Sequence, residues 1–143
     1  MVDSLGPETR VLLLAAGLVF LWALLLGVQK YVQIERSPDA AAHPYTDIAH
    51  RAALLYSFAL LLIAAFAELS DWAWQVDLAA GLVEVVFFVA AIGSYQWHGL
   101  RRDTDNQLRG GGPALRGFMG ALIAAEIGGF VVLLAGFVHA WAG

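Results

Sequence analysis

Four runs of apolar residues, each about as long as a bilayer is thick, leave this chain few ways to fold. They cover residues 11–31, 48–69, 76–98 and 115–141. A helix needs about 20 residues to cross the hydrocarbon layer. Backbone groups in lipid must be paired, which leaves only helices and closed barrels. These runs are too long for barrel strands, and none has a proline inside it. The expectation is therefore an all-α fold, an integral membrane four-helix bundle forming a single domain over residues 1–143. With 60% hydrophobic and 14% charged residues, the chain is far more apolar than a water-soluble domain. The first run exceeds a signal-peptide core and no small-x-small cleavage site follows it, so a retained helix is expected.

The basic residues set an orientation. Lys30, Arg36 and Arg51 flank or occupy the loop after the first run, and Arg101, Arg102, Arg109 and Arg116 the loop after the third. Only Arg10 falls on the other side, seven against one. By the positive-inside rule both long loops are cytoplasmic and both termini non-cytoplasmic. The chain has no cysteine, which excludes disulfides, Cys-ligated zinc and iron–sulfur clusters. No basic cluster suggests nucleic acid as a partner.

Polar residues within such runs are costly and tend to have a purpose. They are densest from His43 to Ser57, where two histidines, an acid, a base and two tyrosines stand at the mouth of the second helix. At 100° per residue His50 and Ser57 share a face, with Tyr56 about a third of a turn away. Asp47 falls near the helix start, where an acid suits the macrodipole. In the third run Glu84, Phe88, Ala91, Tyr95 and His98 recur at helical spacing and line one face. Glu84 suits either a functional carboxylate or a protonated acid bonded to a neighbouring helix. In the fourth run Gly117, Ala121, Ala125 and Gly129 form a stripe for close helix approach, with Glu126 beside it. Gly110 to Pro113 reads as a hinge; no Lys-Ser/Thr pair follows it, so it is no phosphate loop. His139 belongs to the opposite membrane face.

A histidine opening the second helix after a polar loop, with a tyrosine 45 positions later at Tyr95, resembles the styrene oxide isomerase and hydroxylaminobenzene mutase group. In that group Asn-Gly follows the histidine at the sixth and seventh positions; here Tyr56-Ser57 stand there. The resemblance implies a homotrimer in a bacterial plasma membrane, with haem b between protomers and His50 as the axial metal ligand. It implies a small hydrophobic or aromatic epoxide as substrate, with Tyr95 and Tyr56 at the catalytic positions. Arg51, Arg101 and Arg102 would meet the propionates, and Asp47 would accept from the second nitrogen of His50. Two other readings stay open at this point. One is an accessory membrane subunit without chemistry; the other is a small proton-coupled multidrug-type transporter using Glu84 or Glu126. That transporter class usually carries its acid in the first helix, which here has none between residues 11 and 29.

Overall fold

The computed structural model describes residues 2–109 and 112–143. A short 3-10 turn, Val2–Ser4, precedes four α-helices: α1 (Pro7–Glu35), α2 (Pro44–Glu68), α3 (Trp74–Arg101) and α4 (Pro113–Ala142). All four are long and apolar enough to cross a membrane, and no strand occurs among the described residues. The helices start two to four residues ahead of their apolar stretches; α1 and α3 also run three or four residues past them, whereas α2 stops one residue short, at Glu68. Prolines fix three of the starts: Pro7, Pro44 and Pro113 each sit in a first turn, where the missing N–H costs nothing. Pro44 therefore opens α2 rather than breaking the chain ahead of it. His43 caps the helix by accepting the Tyr45 N–H at Nδ1, and Asp47 falls in the first turn as expected. Gly110 and Gly111, half of the expected hinge, lie outside the described residues.

The core is a seam of small and branched side chains. From α1, Leu12, Ala16, Val19, Ala23 and Leu26 recur every three or four residues and are sealed against α2 and α3. From α2, Ala49, Ala53, Leu60, Ile63 and Ala64 answer them. The alanines let the axes approach closely, which is how helices gain contact where lipid removes the hydrophobic drive between them. At the Arg-rich end, Gly99 of α3 crosses α2 so tightly that a Cβ there would meet the Thr46 backbone nitrogen at 2.8 Å. Leu14, Leu18, Leu21 and Leu25 of α1 face outward, a surface suited to lipid rather than water.

α4 is the least integrated helix. Only Gly129, Leu133 and Gly136 are buried, and 11% of its apolar window is covered against 28–33% for the other helices. The stripe of small residues is split accordingly. Gly129 packs against α3, whereas Gly117 has open space and Ala121 is exposed.

A polar ladder fastens α1 to α3 at the Arg-rich end. The Trp22 indole N–H donates to Gln96 Oε1 (2.9 Å), and Gln96 Nε2 donates to Gln29 Oε1 (3.1 Å). Gln33 donates to the Gly99 carbonyl (3.3 Å) and accepts the His43 backbone N–H (3.0 Å). Gln96→Leu removes two of these bonds at once. Interhelical bonds in membranes average about 0.6 kcal/mol each, so a loss of about 1 kcal/mol is expected as a lower melting temperature in detergent. Trp22→Phe should cost about half of that, and equal melting of all three proteins would show that the ladder contributes nothing.

Candidate functional site

The site residues divide between two sides of α2, and helix geometry is the reason. Six residues separate His50 from Tyr56, which places them about 120° apart around the axis. His50 turns towards α1, while Tyr56 turns towards α3.

On the α1 side, His50 packs on Gly27. A Cβ built at Gly27 would lie 3.2 Å from Nε2, 3.6 Å from Cδ2 and 3.8 Å from Cε1. Distances so nearly equal put that position over the ring face; an approach along the in-plane lone pair would leave both carbons much farther away than the nitrogen. Gly27 is thus a floor under the imidazole, and the in-plane direction of Nε2 is not what it fills. The other nitrogen, Nδ1, is sealed from solvent and has no hydrogen-bond partner among the described residues. One heptad further along the same seam, Ser57 lies with Gly17, Phe20 and Leu61 around a wholly apolar cavity of about 230 Å³. His50 and Ser57 do share a face, and it is the face against α1.

On the other side of α2, Tyr56 and Tyr95 come together. Both border a cavity of about 280 Å³ whose remaining walls are Ile48, Arg51, Ala52 and Leu55. Both also border a second cavity of about 280 Å³, shared with Ser94, His98, Gln107 and residues of α4. Tyr56 is fixed by lying flat on Phe88, with centroids 4.1 Å apart and planes within 2°. Tyr95 stacks on Tyr45 (6.0 Å), which leans in turn on His98 (5.5 Å) and accepts the Gln107 N–H at its hydroxyl (2.7 Å). Among the described residues no group bonds the hydroxyl of Tyr56 or of Tyr95. These are two oriented donors lining space rather than closing a structural bond.

The charged residues around these cavities have partners of their own. Asp47 is held by Lys30 (2.6 Å) and by Arg51 (2.9 Å), so its carboxylate fastens α2 to α1 instead of bonding His50. That corrects the expectation that Asp47 serves as acceptor for the imidazole; Lys30 across the helix seam and Arg51 one turn on win it. Arg101 lies over Trp97 at 4.5 Å, and Arg102 ends α3 in a left-handed turn. His98 Nδ1 sits 2.7 Å from Asp103 Oδ1, and the hydrogen bond from His98 holds the Asp103 carboxyl below its usual value. His139 pairs with Asp71 (3.0 Å) at the opposite end of the bundle, apart from the other histidines as expected.

The stripe on α3 points inward along its whole length: Glu84, Phe88 and Ala91 are buried, with Tyr95 and His98 half-buried. Sequence reasoning missed the three glutamines of the ladder and the central place of Tyr45. Gln29 and Gln33, four apart at the end of an otherwise apolar helix, were the available signal.

A bare metal ion needs several protein ligands. Among the described residues no three His, Asp or Glu side chains gather to hold one. A metal carried in a macrocycle needs only one axial ligand from the protein. Comparison with protein-family models, curated proteins and solved structures gave no match.

Proposed function

We propose that this chain is a small membrane isomerase that rearranges an epoxide or a related small hydrophobic compound, using haem b held through His50. The observation that carries this reading is the single imidazole packed face-on against a glycine, with no hydrogen bond to its Nδ1 among the described residues. The missing side chain at position 27 leaves room for the ring, and packing against Gly27, rather than a hydrogen bond at Nδ1, would set its orientation towards a flat ligand.

His50 and the tyrosine pair share no described cavity. A site using both needs two copies of the chain, with His50 of one facing Tyr56 and Tyr95 of the next. Such a head-to-tail contact closes as a ring, and a trimer follows the resemblance. The exposed small residues of α4 and its bare apolar surface are compatible with contact between copies.

When bound, a ferric haem supplies a Lewis acid for the substrate oxygen. The chain's own part is to orient and to exclude. The Tyr95 and Tyr56 hydroxyls donate to an oxygen on which charge develops, which is worth most in a water-poor site. Ile48, Ala52 and Leu55 keep water out, so that an opened ring rearranges instead of being hydrolysed. Arg51 lines the same cavity and, with Arg101 and Arg102 at the same end of the bundle, offers positive charge to propionates. The test is direct. Protein purified from cells with an ample haem supply should show a Soret band at one haem per chain or per interface, and a colourless protein that also refuses added haem would overturn the reading.

The same reading places the Arg-rich end in the cytoplasm of a bacterial plasma membrane, with both termini outside. Cysteines introduced as Asp39→Cys or Asp105→Cys should resist impermeant maleimides in intact cells and react after lysis. Labelling of Asp105→Cys in intact cells would reverse the orientation.

A further inference from the structure

Two carboxylic acids meet near the middle of the bundle, and among the described residues no Lys or Arg lines their cavity. Glu84 of α3 is 2% exposed; the Phe130 backbone N–H donates to its carboxyl, while among the described residues its Oε1 has no hydrogen-bond partner. Glu126 of α4 also has a sealed, unpartnered Oε1. Both line one cavity of about 240 Å³ in the cleft between α2, α3 and α4. No Lys or Arg occurs from residue 52 to residue 100 or from 117 to 143, and α1 has no ionisable residue between Arg10 and Lys30. The other titratable groups that sense Glu126 are Tyr56 of α2 and Tyr95 of α3, and neither supplies positive charge.

We propose that Glu84 and Glu126 form a binding site at which a lipophilic organic cation exchanges for a proton. Two unpaired carboxylates cannot both stay ionised in an apolar cleft, so the empty site keeps at least one proton. An entering cation supplies the missing positive charge. The carboxyl proton leaves to water, and the net charge of the site is unchanged.

Three features point to a cation rather than to a structural acid pair. Among the described residues each carboxyl keeps one oxygen sealed and without a hydrogen-bond partner, as a site awaiting a ligand would. The remaining walls include the rings of Phe88 and Phe130, which attract an organic cation through their faces. Those rings are braced from behind: Phe88 by the Tyr56 stack, Phe130 edge-on to Phe66 at 5.3 Å. The third feature is Gly129, where a Cβ would come within 2.8 Å of Glu84 Oε1 and 3.1 Å of the Ala80 carbonyl. α4 carries glycine there, and the carboxyl head of Glu84 occupies the room. Entry is lateral, because Leu62 on the cavity wall is 52% exposed on the lipid-facing surface, and this favours ligands that partition into the bilayer. The site involves neither His50 nor a haem.

The experiment is calorimetric titration of the full chain in detergent micelles with benzyltrimethylammonium, which has no proton of its own to lose. Run in two buffers of different ionisation enthalpy, it counts the protons released. About one proton per bound cation is expected, with affinity falling about tenfold for each unit the pH is lowered while the site is protonated. Glu84→Gln and Glu126→Gln should each weaken binding at least about tenfold and abolish the proton release. Gly129→Ala, which displaces the Glu84 head without altering charge, should weaken binding to a smaller degree. Size-exclusion profile and helicity identify any variant that fails to fold, and the pH series on the unaltered protein stands without the variants. No binding at millimolar cation, binding without proton release, or binding unchanged in both glutamine variants would each overturn the proposal.

Discussion

Replacing His50 with alanine is expected to abolish the Soret band of the purified protein. The proposed axial bond is a single bond, and none of the other three histidines is placed to take it over. His43 caps α2, with its Nδ1 occupied by the Tyr45 N–H. His98 faces the opposite side of α2, where its Nδ1 is engaged by Asp103. His139 pairs with Asp71 at the far end of the bundle. His98→Ala should therefore leave the spectrum unchanged. A second substitution separates ligation from general damage: Gly27→Ala sets a methyl group 3.2 Å from Nε2, tight enough that the ring must shift. It should displace the Soret maximum or lower haem occupancy while leaving the four helices intact. A spectrum that survives His50→Ala would remove His50 from the site whatever the protein binds.

The four long apolar helices were legible because length and hydrophobicity together suffice to mark a helix able to cross a bilayer. The inward stripe on α3 was equally legible, since residues at helical spacing must share a face. The start of α2 lies four residues ahead of its apolar run because Pro44 is preorganised for N1, which hydrophobicity alone does not register. Sequence also could not say which way His50 points. A face is only an angle until a neighbouring helix occupies it, and Gly27, 23 positions earlier, is the residue that gives the angle a meaning. Asp47 shows the complementary difficulty. Near the histidine in sequence, it is drawn away by Lys30 and Arg51, whose charged groups bind it at 2.6 and 2.9 Å. The small-residue stripe of α4 hid a division for the same reason: glycine at 129 makes room for an acid on α3, whereas glycine at 117 meets nothing.

Tyr95→Phe should leave haem binding and folding intact and slow any epoxide rearrangement by about 10²–10³, the usual cost of removing one hydrogen-bond donor aimed at a developing oxyanion. The structure makes this substitution unusually clean. Among the described residues the Tyr95 hydroxyl bonds nothing, so its removal breaks no internal contact, and the ring that stacks on Tyr45 is retained. Tyr45→Phe is the opposite case. It removes the acceptor of the Gln107 N–H and should destabilise the loop after α3 by about 1 kcal/mol with little direct effect on the reaction. Equal turnover by Tyr95→Phe and the unaltered protein would leave Tyr95 as a packing residue. The neighbouring position then becomes decisive. Tyr56 is pinned flat on Phe88 and borders both cavities, where the resembling isomerases carry asparagine. A protein that binds haem through His50 yet rearranges no aryl epoxide should gain that activity on Tyr56→Asn if the bulk of the tyrosine is what excludes the substrate. Continued inactivity with the haem spectrum intact would assign the chain a different substrate from that of the enzymes it resembles.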